Sequence, residues 1–438
     1  MENTEKTKTT AVKGTEAARK VRGFVKNIYR RAQDAKAEGK KVSYVMVSSH
    51  YDEILRAMDI VPVPTENYAG LCAAKREMDR FLLKAEADGY SQVLCSYARI
   101  GLGFDSLRKE LGGMPEGAPD GGMPMPDMML GSSNVCDPRF KWFQATGRYL
   151  DVPHHSIDVV KPPVTADLNE VRDHYVRYQH AQFTGLIAFL ERETGKKLDK
   201  ERLWETLRLG DEAWRLWYET DRLRVAVPSP MPSQDRFSIM VPAYYYTGTQ
   251  EAVDFYRELY EEVKYRVENK IGTGTEQKYR VLYGGGLPPW HTLWIFNYFE
   301  SFGASFVMEN VYRVHDPVEV PSHVKDPVEY LAWRTFLRLT SRHEKAKANS
   351  GNLEVERLLD IIKDYRIDGV VFHACRSCRA TTLGQIHTKN RLRQFTNMPM
   401  TQLVSDMVDL RDYSEAQWKA QIGAFIEALA AYAPSTSP

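Results

Sequence analysis

The sequence predicts an α/β protein in which a helical segment joins two lobes, each built on a parallel sheet. Each half of the chain repeats a strand–helix–strand rhythm, from VSYVMVS to IVPVPTENYAG and from YRVLYGGG to ASFVMENVY. Between them, residues 165–225 carry apolar side chains at three- and four-residue intervals, which is typical of helices. Strands that alternate with helices form parallel sheets, so both lobes are expected to be Rossmann-like.

The remaining elements extend each lobe in order. A charged amphipathic helix over 15–40 comes first, and DMMLGSS and LDVPHHSIDV add strands to the first lobe after a Gly- and Pro-rich loop at 111–126. The second lobe continues through helices near 325–346 and 352–364 to the strand IDGVVFHAC, and a helix near 416–432 ends it. The predicted division is a helical segment at 1–40, a first α/β lobe at 41–163, a helical connector at 164–275 and a second α/β lobe at 276–438.

Composition excludes several classes of protein. The chain is 43% apolar and 27% charged, and no run approaches the ~20 apolar residues that a membrane span needs. The first twenty residues lack the apolar core of a secretory signal, so we expect a cytoplasmic protein. A formal net charge of +1 lacks the basic excess of a nucleic-acid binder.

Three of the five cysteines follow strand-like runs. They are Cys95 in SQVLCSYARIGLG, Cys136 in PDMMLGSSNVCDPRFKW and Cys378 in IDGVVFHACRSCRATTLGQ. Ligands gather outside the carboxyl ends of parallel strands, so these thiols are expected to converge. Three thiolates suit an iron–sulfur cluster that keeps one iron open, and we expect this cluster between the lobes.

The three candidates differ in their local context. Cys136 is predicted near the N-terminus of a helix, where the helix dipole lowers a thiol pKa. Cys378 forms a CxxC pair with Cys375, which fits half of a zinc site, a redox pair, part of a cluster or two buried thiols. Neighbouring Arg376 and Arg379 favour thiolate chemistry at Cys378.

Two histidines and a glycine-rich segment are further candidates. His291 and His373 flank predicted strand ends on the side of the cysteines, which makes them candidate proton donors. The segment 284–291, GGGLPPWH, is either an anion-binding turn or a tight strand-to-helix turn, and the second interpretation is favoured. It matches neither a phosphate loop nor a dinucleotide fingerprint, so the chain itself is not expected to bind ATP or NAD.

The segments CSYARIGLG, SNVCDPRFKW and DGVVFHACRSCRATTLGQ together resemble the benzoyl-CoA reductase and 2-hydroxyacyl-CoA dehydratase family. With TENYAG and LPPWHTLW, they look most like the larger cluster-binding subunit of the ATP-dependent reductases. The resemblance implies one [4Fe–4S] cluster on Cys95, Cys136 and Cys378. It also implies a homologous cluster-binding subunit, ATPase electron-activating subunits, ferredoxin as the upstream donor, and radical reduction of benzoyl-CoA or a related aromatic acyl-CoA to a cyclic dienoyl-CoA.

Two other interpretations stay open. A dehydratase subunit of the same family removes water from a 2-hydroxyacyl-CoA with a recycled electron. A non-catalytic scaffold instead closes a structural zinc site with Cys95, Cys136, Cys375 and Cys378. Position 375 departs from the family pattern, where a small polar residue is expected, and the cysteine there gives a CxxC pair that could exchange ligands.

Overall fold

A computed structural model describes residues 11–432 of the chain. The parts of the predicted 1–40 and 276–438 segments that fall on residues 1–10 and 433–438 lie outside the described residues. The strands are β1 (Val42–Val45), β2 (Val61–Pro64), β3 (Met128–Ser132), β4 (His154–Ile157), β5 (Tyr279–Gly285), β6 (Ala304–Glu309), β7 (Gly369–Cys375) and β8 (Met400–Ser405).

The strands form two four-stranded sheets of the same topology. The first has the order β2-β1-β3-β4 and the second β6-β5-β7-β8, and every pairing is parallel. Burial explains the strand sequences, because β3 and β7 are buried at every position and consist largely of apolar residues. The predicted α/β class with two parallel-sheet lobes is confirmed.

Helices cover the sheets and connect them. They are α1 (Glu16–Ala37), α2 (Asp52–Ala57), α3 (Thr65–Ala74), α4 (Asp79–Ala87), α5 (Ser96–Leu111), α6 (Pro138–Leu150), α7 (Leu168–Thr194), α8 (Lys200–Leu223), α9 (Ser233–Tyr245), α10 (Gln250–Glu268), α11 (Ile295–Glu300), α12 (Pro327–Thr340), α13 (His343–Ala348), α14 (Leu353–Asp364), α15 (Arg379–Thr382), α16 (Gln385–Leu392) and α17 (Glu415–Ala431). Helices α7 to α10 form the segment between the sheets. The predicted domain boundaries stay a prediction.

Side-chain caps fix where several of these helices begin. Asp167 and Asp199 accept backbone hydrogen bonds at the starts of α7 and α8, and Thr249 does so at α10. Such caps satisfy N–H groups that have no partner inside the helix. The long apolar faces that the sequence shows between 165 and 225 therefore form two separate helices, with the capped turn at Asp199 between them.

Two long helical connections have equivalent places in the two sheets. The first crossover, residues 65–127, joins β2 to β3, and the second crossover, residues 310–368, joins β6 to β7. In the order 2-1-3-4, the chain leaves the centre of the sheet in opposite directions from its first and third strands, which creates a ligand crevice at their carboxyl ends. Both sheets contain such a switch point.

Some local predictions fail. The run before Cys95 is a turn between α4 and α5, not a strand, because its apolar residues Val93 and Leu94 are exposed and pair with no neighbouring strand. TENYAG begins α3 instead of continuing β2. The sequence pattern also did not predict β8, which is only partly buried.

None of the helices within residues 11–432 combines the length and the apolar character that crossing a bilayer requires.

Candidate functional site

The main cavity lies where the two switch points face each other, and its volume is about 590 Å³. Its walls come from the segments that follow β1, β3, β5 and β7, and from both crossovers. The polar, charged, aromatic and cysteine side chains in its lining include Ser48, His50, Glu66, Cys95, Tyr97, Asn134, Cys136, Arg139, Trp142, Lys161, Tyr244, Asn310, Tyr312, Arg313, His315, Glu354 and Cys378.

The structure brings Cys95, Cys136 and Cys378 to this one cavity. All three are free thiols. Cys136 follows β3 and Cys378 follows β7, so they occupy equivalent positions in the two sheets, whereas Cys95 is the N-cap residue just before α5 in the first crossover. The shared location agrees with the predicted convergence, although a turn and not a strand delivers Cys95.

The fourth cysteine of the zinc hypothesis is placed differently. Cys375 is fully buried in the last position of β7, and its Sγ lies 3.3 Å from the carbonyl oxygen of Leu287 and 3.3 Å from Nδ1 of His373. It does not line the cavity. Cys375 therefore lies behind the cavity wall, close to Cys378 but not exposed to the cavity that the other three thiols line.

A hydrogen-bond network fixes two of the cysteine segments against each other. The backbone N–H of Ser96 donates to Oγ of Ser377 at 3.0 Å. The hydroxyl and the backbone N–H of Ser377 both donate to Oδ2 of Asp406. Because Ser96 and Ser377 are the direct neighbours of Cys95 and Cys378, the network holds the first and second lobes in register at the thiols.

Burial sets the protonation of the thiols. It raises the pKa of Cys136 to about 12 and that of Cys95 well above its usual value, and the proximity of Cys378 adds to the effect at Cys95. The start of α6 does lower the pKa of Cys136, through the backbone hydrogen bond and the cation at Arg139, but desolvation outweighs both and the net shift is upward. Metal binding at these thiols would release their protons.

Within residues 11–432, no group of three or more His, Cys, Asp or Glu side chains converges tightly enough to hold a single metal ion. A [4Fe–4S] cluster makes a different demand, since each thiolate binds its own iron atom and the thiolates stay apart. Three free thiols on one cavity wall fit that demand.

A polar clamp of Glu66 and Arg139 lies beside Cys136 in the cavity wall. Glu66 on α3 accepts a hydrogen bond from the backbone of Val47 at 2.7 Å and one from Arg139 at 3.2 Å. Arg139 also donates to the carbonyl oxygen of Asn134 at 2.6 Å. The clamp ties the loops after β1 and β3 together. Within the loop after β1, Ser48 has a left-handed backbone with φ of 57°, a strained conformation that is common at functional sites.

The predicted proton donors lie elsewhere. His291 and His373 are buried, and neither lines the cavity. A ring nitrogen of His291 lies 2.9 Å from the carbonyl oxygen of Asp406, and one of His373 lies 2.9 Å from Oγ of Ser405. Burial lowers the pKa of each to about 4. Both imidazoles are neutral near pH 7 and serve the packing around β7 and β8.

His50 and His315 occupy the cavity instead, with ring centroids 6.1 Å apart. Burial and the nearby Arg338 lower the pKa of His50 to about 3 and that of His315 well below its usual value. The amide of Asn134 lies 3.1 Å from Nε2 of His50, which fits a neutral ring that accepts the bond. The sequence position could have indicated His50, because it follows β1 just as Cys136 follows β3 and Cys378 follows β7.

The glycine segment at the end of β5 also reaches the cavity, through residues 284–287. Gly286 has φ of +96°, and a Cβ there would lie 1.9 Å from the carbonyl oxygen of His373. Only glycine fits this position. The segment brings polypeptide backbone to the cavity wall, while Trp290 further along donates a hydrogen bond to the Tyr97 hydroxyl.

Fold and site together define a two-lobed α/β protein with three free thiols at facing switch points. A profile of the family described as 2-hydroxyglutaryl-CoA dehydratase, D-component, matches residues 49–429. The chain belongs to this family, which is a family of enzymes, and the predicted relationship to the reductase and dehydratase family is confirmed.

Individual relatives match over nearly the full length. The (R)-phenyllactyl-CoA dehydratase alpha subunit of Clostridium sporogenes is 28% identical over 91% of this chain and 92% of its own length. The (R)-2-hydroxyisocaproyl-CoA dehydratase alpha subunit of Clostridioides difficile is 28% identical over 92% and 93%. A benzoyl-CoA reductase subunit of Thauera aromatica is 25% identical over 91% of each chain.

Proposed function

We propose that this chain is the cluster-carrying subunit of an enzyme that dehydrates an (R)-2-hydroxyacyl-CoA. The observation that carries the proposal is the meeting of Cys95, Cys136 and Cys378 on the wall of one cavity of about 590 Å³ that also contains a carboxylate. The volume lies within the ~300–1,000 Å³ of small-molecule sites. The two dehydratase subunits reported above are more similar to this chain than the reductase subunit is.

The three thiols would hold a [4Fe–4S] cluster, which when bound supplies single electrons at low potential. The protein's own part is to bind and orient the thioester and to handle a proton. Glu66 is the candidate for the proton, because its Oε2 is held by Val47 and Arg139 while its Oε1 makes no hydrogen bond with any residue in 11–432. The clamp thus presents one carboxylate oxygen to the cavity.

Aromatic side chains line another part of the cavity. Trp142, Tyr97, Tyr244 and Tyr312 contribute to the wall. Tyr244 and Tyr312 pack edge to face with ring centroids 6.0 Å apart. Such a wall suits an apolar or aromatic acyl group and strengthens the polar contacts inside it.

The same wall favours a second candidate, reduction of the ring of benzoyl-CoA, because a flat aromatic substrate stacks on aromatic side chains. The similarity to the benzoyl-CoA reductase of Thauera aromatica agrees with it. Under either function, the proposed partners are a homologous cluster-binding subunit and ATPase subunits that deliver electrons. Ferredoxin is the proposed upstream donor for the reductase.

The first experiment measures iron, acid-labile sulfide and the EPR spectrum of the protein purified anaerobically with its homologous subunit. We expect about four irons and four sulfides on this chain. They should be lost in Cys378→Ser and retained in the matched control Cys375→Ser, whose sulfur does not line the cavity. Stoichiometric zinc that Cys375→Ser abolishes would support the scaffold hypothesis instead.

The second experiment separates the two candidate reactions by their electron demand. The complex is given (R)-phenyllactyl-CoA or (R)-2-hydroxyisocaproyl-CoA, and in parallel benzoyl-CoA. Dehydration needs only catalytic amounts of the reductant, whereas ring reduction consumes two electrons for each product. Glu66→Gln should lower turnover while the iron content stays normal; unchanged turnover would remove Glu66 from the mechanism.

A further inference from the structure

A second cavity of about 410 Å³ adjoins the first. Both are lined by Lys161, Arg313, His315, Leu339 and Glu354, so the two cavities share a wall. We call the second cavity the basic chamber. Its further lining residues include Arg338, Arg342, Asn352 and Arg357.

The charge in the basic chamber is strongly unbalanced. Five cationic side chains line it, and Glu354 is the one acidic residue in its wall. Glu354 already pairs with Arg313 at 2.8 Å. Arg338 and Arg342 are likewise engaged, by Asp211 at 2.9 Å and by Asp316. These carboxylates therefore leave part of the positive charge unmatched.

Arg357 and Lys161 carry that unmatched charge. Neither makes a hydrogen bond or ion pair with any residue in 11–432, although Arg357 is half-buried. Burial, together with Arg313 and Arg342, lowers the pKa of Arg357 to about 9. Cations that destabilise one another in a concave site are stabilised by an anion placed between them.

The N-terminus of helix α14 contributes to the same wall. Gly351, Asn352 and Leu353 line the chamber, and Oδ1 of Asn352 caps the helix by accepting a hydrogen bond from the backbone N–H of Glu354 at 2.9 Å. The positive end of a helix dipole favours an anion. It adds to the arginine and lysine charges and does not by itself define the site.

We propose that the basic chamber binds the diphosphate and 3′-phosphate of the CoA moiety, so that the pantetheine arm passes Lys161 and Arg313 into the cavity of the three thiols. This inference rests on the proposed function for the identity of the ligand. The anion site itself rests on the charges of the chamber. The wall that the chamber shares with the cavity of the three thiols favours a long molecule that carries phosphates at one end over a free nucleotide.

The test measures binding by calorimetry on the anaerobic complex with its homologous subunit. The ligands are acetyl-CoA, whose acyl group has no hydroxyl to lose, S-acetylpantetheine, which has no phosphate, and 3′,5′-ADP. The variants are Arg357→Gln and Lys161→Gln. The matched control is Arg208→Gln, because Arg208 is an exposed arginine that lines neither cavity and has no ion pair within the described residues.

Each variant should weaken acetyl-CoA binding by about tenfold or more, since a charge-assisted bond to phosphate is lost, and leave S-acetylpantetheine unaffected. Arg208→Gln should bind like the parent. Lys161 is exposed, so its replacement is not expected to disturb folding. Unchanged acetyl-CoA affinity in both variants, or equal losses for acetyl-CoA and S-acetylpantetheine, would overturn the inference.

The two proposals fail in different ways. If the complex dehydrates hydroxyacyl-CoA while both variants bind acetyl-CoA normally, the chamber inference is wrong and the function stands. If acetyl-CoA and 3′,5′-ADP both bind, and both are lost in Arg357→Gln, but neither dehydration nor ring reduction occurs, the phosphate site stands and the function is wrong. Binding of 3′,5′-ADP but not of acetyl-CoA would overturn the CoA assignment in favour of a free nucleotide.

Discussion

The two crossovers occupy equivalent places in their sheets but supply side chains of different chemistry to the cavities. The first, residues 65–127, delivers Cys95 to the cavity, together with Glu66 and Tyr97. The second, residues 310–368, delivers Arg313, Arg338, Arg342 and Arg357 and contains no cysteine. Equivalent topology therefore fixes where each crossover points, while its side chains decide what it binds.

Each crossover also contains a buried arginine that forms an ion pair with the opposite lobe. Arg99 in the first crossover pairs with Asp409 at 3.0 Å, and Arg334 in the second pairs with Glu53 at 2.7 Å. Each arginine is at most 4% exposed. Carboxylates left without such a partner are costly, so these pairs hold the lobes together around the cavity.

The largest stability effect is expected at Arg334. Replacing it with Ala leaves the buried Glu53 without an ion pair within the described residues and should lower the free energy of unfolding by about 3–5 kcal/mol. Arg99→Ala should cost less, because Arg411 also pairs with Asp409, at 2.6 Å. Urea denaturation measures both, with Arg376→Ala at an exposed pair as control. Equal costs for Arg334→Ala and Arg376→Ala would contradict the role of burial.

The turns after the first strand of each sheet offer a second comparison. The loop after β1 holds a left-handed serine, Ser48, whereas the turn after β5 depends on Gly286. Gly286→Ala drives a methyl group into the backbone of β7 and should cost about 2–4 kcal/mol. The denaturation midpoint tests this, and Gly113→Ala, in open space with an ordinary backbone, is the control. A normal midpoint for Gly286→Ala would refute the clash.

Acid should weaken the packing around β7 and β8 through His291. Its folded pKa of about 4 lies below the ordinary value of 6.5, so the unfolded chain binds the proton first. The stabilisation is complete above pH 6.5 and is lost as the pH falls towards 4, at about 1.4 kcal/mol per pH unit. Denaturation at pH 7 and pH 5 should show a smaller drop in His291→Gln than in the parent. An equal drop would show that His291 does not contribute.

The smallest effect is expected at the rim of the cavity, where Arg379 pairs with Asp137 between the lobes. Both side chains are at least 65% exposed, so Arg379→Ala should change stability by less than about 1 kcal/mol. Iron content should be unaffected, since neither residue supplies a thiol. A loss of iron in this variant would assign the pair a role in holding the cluster.

Local patterns account for most of what the sequence predicted. Alternation of strands and helices predicted the two sheets, and the rule for strand ends placed Cys136 and Cys378 correctly because both follow real strands. The apolar run before Cys95 was wrongly predicted to be a strand, and it is a turn. It also selected His291 and His373, which lie near strand ends but are buried away from the cavity. A strand end fixes the position of a residue along the chain and not the direction of its side chain.

The sequence by itself therefore determined the fold class and singled out three cysteines as candidate iron ligands, because periodicity and residue chemistry are local properties. Only the tertiary structure decided which histidines line the cavity, that Cys375 lies behind its wall, and that Lys161 and Arg357 meet in one chamber. Those facts depend on how distant segments pack, since burial and neighbouring charge arise only when the two lobes close on each other.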